Sequence, residues 1–474
     1  KAQQPITRYI FSNCGGKVFD FAGLTNLGQL AYLLQRSRLL ITCDTGTLQL
    51  ASYFDKPIVA IFGPSNEKRY GPWSARFRVV KRSLFCMPCK APQCRFGTVE
   101  CMKMIKTEDV LRQARFFLEG KAVLNSQADI RDFKRVLVAR TDRIGDVLLS
   151  TPVIKALRDS LPNAYIAMMV GPYAKEIVEG NPYLDEVIIY DKDSSHKSWA
   201  SSLKFALNLR KKKFDLAVVL HPVNRVHLVC FLAGIPRRIG YDRKMGFLLT
   251  DRIKHTKQLG QKHESEYNLE LLKYLGVEAL DKTMYMPIKA ASEKWLEELF
   301  GAEKISPQDK IMAIHPGASC ISKIWPAERF AQVADRAIEK YGFKVLIVAG
   351  PKDRKTAETV AGLMRHDALN LAGKTSVSQL ASVLKRCSLF ISNDSGPVHI
   401  ASSVGTPVIS IFGRSQKGLS PKRWGPQGKM DRILHKPEAG CLECLAHNCV
   451  KQFACLRAIS VEDVLRAMAD ILGG

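Results

Sequence analysis

The chain has 474 residues, enough for about three domains of ordinary size, and 46% of them are hydrophobic. No stretch approaches the roughly 20 consecutive apolar residues of a spanning helix, so no helix is predicted to cross a membrane. The formal net charge of +26 predicts attraction to anionic lipid, nucleic acid or a phosphorylated substrate, or only a solvated basic surface. No RNA-binding motif accompanies the basic residues, so a nucleic-acid partner is not expected.

The chain contains one block twice. Residues 23–63 match residues 373–413 without a gap at 17 of 41 positions, and both copies end with a four-cysteine cluster and a helix. A period this long indicates a duplicated domain rather than a solenoid. Residues 1–118 are therefore predicted to be the C-terminal half of a domain whose complete copy lies further along. Because the first block is incomplete, we also expect the natural N-terminus to lie upstream of Lys1.

From residue 134 the chain alternates between strand and helix patterns. The first series has strands at 135–139, 165–170, 186–190 and 216–220, with helices at 147–157, near 173–179 and from 201. The second series has strands within 311–317, 344–350, 389–394 and 407–413, with helices at 327–341, from 354, at 376–386 and at 397–404.

This alternation predicts an α/β protein with two Rossmann-like, doubly wound parallel-sheet domains. We assign them to residues 132–304 and 305–474, with a polar linker at 119–131 and a hinge within 286–309. Two such domains facing each other would bind a ligand in a cleft at the carboxyl ends of both sheets.

Eight of the thirteen cysteines fall into two clusters. The first contains Cys86, Cys89, Cys94 and Cys101, and the second contains Cys441, Cys444, Cys449 and Cys455. Such spacing is compatible with structural zinc, with an iron–sulfur cluster, or with reduced or disulfide-paired structural thiols. These alternatives stay open at the level of the sequence.

Several common enzyme motifs are absent. No G-x-G-x-x-G follows the first strand, and Ala368 stands where a P-loop before Gly373 needs glycine. His263-Glu264 lacks the second histidine of a zinc protease. Dehydrogenase, NTPase and metalloprotease functions therefore have no support.

Three loops at strand ends carry the polar residues instead. They read R-x-D-R-I-G-D-V-L-x-S-T-P at 140–152, H-P-G-A-S-x-x-x-K-x-W-P-x-E-R-F at 315–330, and S-N-D-S-G-P-V-H-I-A at 392–401. The first places the Asp146 carboxylate at a helix start, where capping is its ordinary structural role. The third offers backbone N–H groups and a helix dipole to a phosphate, with the Ser395 hydroxyl beside them.

Together with the cysteine cluster, these loops resemble the ADP-heptose:lipopolysaccharide heptosyltransferase family, glycosyltransferase family 9, over about residues 132–474. The resemblance implies a GT-B fold, inversion at the anomeric carbon and no required metal cofactor. It implies that Asp146 is the catalytic base and that Lys323 neutralises the diphosphate leaving group. The donor-binding residues that it implies are His315, Gly317, Ser319, Lys323, Gly350, Asp353, Leu371, Ala372, Asp394, Ser395, Gly396 and His399. Residues 1–118 resemble half of a second nucleotide-binding domain, with Gln49 in place of His399.

The expected function is transfer of heptose from ADP-heptose to a lipid-linked lipopolysaccharide core precursor. The expected location is cytoplasmic, peripheral at the inner face of the inner membrane, where anionic lipid would attract the basic surface. One alternative is the same fold acting with another nucleotide sugar and another glycan. A second is a non-catalytic sugar-nucleotide-binding or scaffold protein.

Overall fold

The computed structural model describes residues 4–14, 18–74, 76–82, 84, 86–87, 89, 93–118, 130–437, 441 and 444–473. The chain divides into two units, Lys1–Val123 and Leu124–Gly474. Most of the predicted linker 119–131 lies outside the described residues, and its end forms a short 3₁₀ helix at Ile130–Asp132. No helix within the described ranges has the length and apolar character needed to cross a bilayer.

The first unit contains a three-stranded parallel sheet with strand order β1-β2-β3. Its strands are β1 (Leu40–Cys43), β2 (Ile58–Ile61) and β3 (Phe77–Val80). Its helices are α1 (Gln4–Asn13), α2 (Leu27–Arg36), α3 (Gly46–Tyr53), α4 (Glu67–Tyr70), α5 (Glu100–Lys103) and α6 (Thr107–Leu118). A small core forms where Leu34 and Leu48 pack beside Ile58 and Phe62 of the central strand region.

The second unit begins with a six-stranded parallel sheet of order β6-β5-β4-β7-β8-β9. Its strands are β4 (Arg135–Ala139), β5 (Tyr165–Val170), β6 (Glu186–Ile189), β7 (Leu216–Val219), β8 (Arg237–Asp242) and β9 (Asp251–Lys254). Its helices are α7 (Ile144–Leu148), α8 (Thr151–Ser160), α9 (Lys175–Val178), α10 (Trp199–Arg210), α11 (Asn224–Leu232) and α12 (Glu264–Lys273).

A second six-stranded parallel sheet follows, with order β12-β11-β10-β13-β14-β15. Its strands are β10 (Ile311–His315), β11 (Lys344–Ile347), β12 (Leu369–Asn370), β13 (Leu389–Asn393), β14 (Val408–Phe412) and β15 (Arg432–His435). The remaining helices are α13 (Ala290–Ala302), α14 (Ala327–Tyr341), α15 (Arg354–Leu363), α16 (Val377–Arg386), α17 (Gly396–Ser403), α18 (Pro421–Trp424), α19 (Ala454–Ala458) and α20 (Val461–Leu472).

Both six-stranded sheets have the doubly wound strand order. The second and third strands are added on one side of the first strand, and the fourth to sixth strands are added on its other side. That switch falls between β4 and β7 in one sheet and between β10 and β13 in the other. The central strands are buried on both faces, which explains their continuous apolar sequences. The loops after β4, β10 and β13 therefore meet at the position where such sheets bind ligands.

The predicted helix at 147–157 is two helices in the structure, α7 and α8. Pro152 stands in the first turn of α8 and has no N–H to continue the hydrogen bonding of α7. The Ser150 hydroxyl donates to the carbonyl oxygen of Asp146 at 2.8 Å, which satisfies a group at the end of α7. This break sets Asp146 on a short separate helix at the cleft.

Helix α13 bears on the predicted domain boundary at 304/305. It lies before that boundary but packs against α16 of the second sheet domain, with Lys385 Nζ 2.8 Å from Glu293 Oε1. The chain thus reaches the second domain before its first strand begins.

Candidate active site

Residues of both sheet domains line one cavity of about 700 Å³ at the carboxyl ends of the strands. Ten predicted site residues line it: Asp146, His315, Ser319, Lys323, Gly350, Asp353, Asp394, Ser395, Gly396 and His399. The volume lies within the range of small-molecule sites.

Asp146 is the third residue of α7, and Arg143 rather than Asp146 occupies the N-cap position. Its carboxylate pairs with the Arg140 guanidinium, with Oδ1 2.6 Å from Nη2. Burial raises the pKa of Asp146 to about 6, the nearby Asp142 carboxylate adds to that rise, and Arg140 opposes it. A carboxyl with a pKa near 6 is ionised at neutral pH yet basic enough to accept a proton.

Arg140 is held by an ionic cluster centred on Glu264. Glu264 is 1% exposed and its carboxylate contacts Arg140 Nη1 at 3.1 Å, Lys257 Nζ at 2.6 Å and Arg423 Nη2 at 2.8 Å. Burial acts to raise the pKa of Glu264, but the three cations together hold it below its usual range. Arg423 belongs to the second domain, so this carboxylate also joins the two domains.

Lys323 and Asp394 form the second charged group of the cavity. Lys323 Nζ lies 3.1 Å from Asp394 Oδ2, and Arg414 Nη2 lies 2.6 Å from the same oxygen. Burial lowers the pKa of Lys323, Asp394 opposes this, and Arg414 adds to it.

His315 contacts the turn at residues 392–396 that leads into α17, which we call the phosphate-type turn. Its Nδ1 lies 3.3 Å from the hydroxyl oxygens of Ser392 and Ser395. Burial lowers the pKa of His315 to about 4, so the ring is neutral at physiological pH. Ser395 is the N-cap of α17 but makes no side-chain cap bond, which leaves the first N–H groups of that helix uncapped by it.

The two domains approach closely at Gly145 and Gly396. A Cβ added to Gly145 would lie 3.2 Å from the Gly396 Cα and 3.1 Å from His399 Cδ2. His399 is buried, which lowers its pKa to about 3, and its Nδ1 has no partner among the described residues. Small residues at this point let two helix N-termini face the same cavity.

The predicted nucleoside-side residues divide into two sets. Gly350 and Asp353 line the cavity, and burial raises the pKa of Asp353. Gly317 lies beneath Asp353, where a Cβ would come within 2.6 Å of its carboxylate. Leu371 and Ala372 are 2% exposed, belong to the hydrophobic core and are not among the residues that line the cavity.

All thirteen cysteines belong to the described residues, and each is a free thiol. In both copies the last cysteine of the cluster packs against the glycine that follows a strand. Cys455 Sγ donates to the Gly413 carbonyl at 2.9 Å, and Cys101 Sγ lies 3.8 Å from a Cβ built on Gly63. Among the residues that the structure describes, no three His, Cys, Asp or Glu side chains are grouped as metal ligands, so zinc gains no support from it.

The sequence motifs gave no role to Arg140, Glu264, Arg414 or Arg423. Arg140 lies in the first loop motif, and Glu264 drew notice only beside His263 as an incomplete protease motif. The repeat carried a signal for Arg414, because the ungapped alignment places Pro64 at the corresponding position.

Two doubly wound parallel-sheet domains that line one cavity have the architecture of a GT-B glycosyltransferase. The family model for glycosyltransferase family 9 (heptosyltransferase) matches residues 1–100 and 202–454. The chain belongs to this family of glycosyltransferases.

Individual relatives agree with this assignment. Lipopolysaccharide heptosyltransferase 3 of Escherichia coli K12 is 30% identical over 57% of this chain and 79% of that protein. Lipopolysaccharide heptosyltransferase 2 of the same strain is 24% identical over 60% of this chain and 85% of that protein.

Solved structures share the fold. A glycosyl transferase family 9 structure from Veillonella parvula has a TM-score of 0.65 and 26% identity, covering 73% of this chain and 98% of its own. The structure of Escherichia coli ADP-heptose lps heptosyltransferase II has a TM-score of 0.59 and 21% identity, covering 72% and 98%.

Proposed function

We propose that this chain is an inverting, metal-independent transferase that moves heptose from ADP-heptose to a lipopolysaccharide core precursor. One observation carries the proposal. The Asp146 carboxylate, with a pKa of about 6, lines the same cavity as the cation Lys323 and the phosphate-type turn. The relatives named as lipopolysaccharide heptosyltransferases support the donor and the acceptor class.

In the proposed reaction Asp146 accepts the proton of an acceptor hydroxyl. The electron pair freed on that hydroxyl oxygen forms a bond to the anomeric carbon, while the bond from that carbon to the diphosphate oxygen breaks. The electrons of the broken bond leave on ADP, and Lys323 neutralises the charge that develops there. One displacement with one base inverts the anomeric centre, and no second nucleophile is needed.

The diphosphate subsite is electrostatically able to work without a divalent ion. Lys323 supplies a cation, and the first residues of α17, with the positive end of its dipole, line the same cavity. These groups do part of what a metal does in other transferases. The proposed site of action is the cytoplasmic face of the inner membrane, where the net charge of +26 favours anionic lipid.

We also propose that residues 1–118 are the C-terminal half of a second nucleotide-binding domain. The family match over residues 1–100 and the parallel order β1-β2-β3, equivalent to β13-β14-β15, support this. The Asp394 equivalent, Asp44, is retained, but the first unit has no counterpart of the loops that hold Asp146 and Lys323.

The experiment incubates the chain with ADP-heptose and a heptose-free core lipid, and follows ADP release and the mass of the acceptor. Transfer in the presence of EDTA and an inverted product linkage by NMR would support the two mechanistic details. ADP-glucose and UDP-glucose serve as competing donors. Transfer from one of these but not from ADP-heptose would favour the same fold with another sugar, and nucleotide binding without transfer from any donor would favour the scaffold alternative.

A further inference from the structure

Asp394 is shared between two cations. Lys323 and Arg414 both contact its Oδ2, at 3.1 and 2.6 Å, and all three residues line the cavity. Arg414 follows β14 at the carboxyl edge of the sheet and is only 6% exposed. A buried guanidinium is costly unless it is paired, so the short contact with Asp394 explains how Arg414 is tolerated there.

The charge of this group depends on Arg414. With all three side chains ionised, two cations and one carboxylate leave a net charge of +1. Without Arg414, Lys323 and Asp394 would neutralise each other, and the group would offer an incoming diphosphate no net charge. Burial makes this one-unit difference in net charge matter more, because charges interact more strongly in the cavity, where the local dielectric constant is lower than in water.

The internal repeat separates Arg414 from the requirements of the fold. The first unit has Gly63-Pro64-Ser65 where the second has Gly413-Arg414-Ser415, and its strand β2 still pairs in parallel with both neighbours. The strand end therefore forms without arginine. Arg414 occurs in the copy that also has the Lys323 loop.

We propose that Arg414 is a positioning residue that serves as the counter-ion of Asp394 and so leaves the charge of Lys323 uncompensated for the donor diphosphate. This inference rests on the proposed function. It requires Arg414 to act through Lys323, and it requires the effect to be confined to ligands that carry a diphosphate.

The test measures binding of ADP and adenosine by calorimetry to the full chain, to four single variants, and to Asp394→Asn with and without Arg414→Met. Arg414→Met and Arg414→Gln remove the charge, and Arg414→Lys keeps it. Lys355→Met removes one exposed cation on α15 outside the cavity as a matched control. Thermal melting establishes that each variant is folded, and Arg414→Gln, which keeps a hydrogen-bond donor for Asp394, covers the case in which Arg414→Met does not fold.

We expect the neutral variants to bind ADP about 10- to 100-fold more weakly, as one lost charge near a diphosphate implies, and to bind adenosine within about threefold of wild type. Arg414→Lys should restore most of the ADP affinity, and Lys355→Met should leave it unchanged. In an Asp394→Asn background Arg414→Met should cost much less, because Lys323 then has no carboxylate beside it that needs a counter-ion.

Three results would overturn the inference: ADP affinity unchanged in a folded neutral variant, an equal loss for adenosine, or full additivity of Arg414→Met with Asp394→Asn. A wild-type chain that binds no ADP would instead overturn the proposed function. Binding of ADP by wild type with unchanged affinity in Arg414→Met would overturn only the role of Arg414.

Discussion

The guanidinium of Arg140 holds the carboxylate of Asp146 at 2.6 Å, yet the pKa of Asp146 is raised rather than lowered. Burial is the largest cause and the Asp142 carboxylate is the second. Arg140 is shared by Asp142, Asp146 and Glu264, so its charge compensates no single one of them. The site thus keeps an oriented carboxylate that is also a usable base.

Asp146→Asn is expected to reduce turnover by about 10²- to 10⁴-fold, because the amide keeps the shape but cannot accept a proton. ADP affinity should stay near that of wild type, since the proposed diphosphate contacts lie on the other domain. The measurement is a steady-state transfer assay together with calorimetry. A folded variant that turns over at the wild-type rate would remove Asp146 from the role of base.

The pH dependence of kcat/KM should report the ionisation of Asp146. The base works only when deprotonated, so the rate should fall about tenfold per pH unit below a pKa of about 6. Asp142→Asn removes the like charge that raises this pKa, so the acidic limb should move to lower pH. The control Asp159→Asn changes an exposed carboxylate on α8 and should leave the limb in place.

Lys323→Ala is expected to weaken ADP binding by about 10- to 100-fold and to slow transfer, because a charge-assisted contact to the leaving group is lost. Adenosine affinity should change little. Calorimetry with both ligands, combined with the transfer assay, measures the effect. Unchanged ADP affinity and unchanged rate would make the lysine a structural partner of Asp394 only.

Gly260 marks a backbone contact between the two sheet domains. Its φ is +58°, and a Cβ there would lie 1.7 Å from the Lys417 carbonyl oxygen. Gly276 also has a positive φ, +75°, but has open space around it. Gly276→Ala should cost about 1 kcal/mol of unfolding free energy, whereas Gly260→Ala should cost about 1–3 kcal/mol more because the domains must separate. Denaturant unfolding measures both, and equal losses would contradict the steric argument.

Deleting residues 1–125 should leave a folded fragment that transfers sugar, because every residue lining the cavity lies in the second unit. Residues 1–118 alone should be poorly stable, since half a parallel sheet exposes an apolar edge and face. The measurements are cooperative melting and transfer from a nucleotide donor. A well-folded 126–474 fragment without activity would mean that the first unit contributes to the site.

Local signals allowed much of the fold to be predicted. Helix α14 has the predicted limits, 327–341, because Pro326 precedes it and Gly342, with a φ of +69°, ends it. The apolar strands followed by polar loops predicted the cleft, and the family resemblance named ten of the residues that line it. Leu371 and Ala372, which the resemblance places around the nucleoside, are buried in the core and are not among the residues that line the cavity.

The ionic clusters could not be predicted because their partners are distant in sequence. Arg140 and Glu264 are 124 residues apart, and Arg423 lies a further 159 residues beyond Glu264. No spacing rule joins such positions before the domains are packed together. The break between α7 and α8 was missed for a different reason, since apolar residues continue at helical spacing from Leu149 to Val153 although the hydrogen bonding does not.

The shared carboxylate of Glu264 couples the orientation of Asp146 to the packing of the two sheet domains. If the second domain moved away it would take Arg423 with it, and of the three cations Glu264 would keep Lys257 and Arg140. We expect Glu264 then to draw Arg140 more strongly and to weaken its hold on Asp146. With the domains apart, Asp146 would be poorly oriented, so it would not readily deprotonate water that enters the cleft. In the proposed reaction, the contact that joins the domains would thereby limit hydrolysis of the donor sugar.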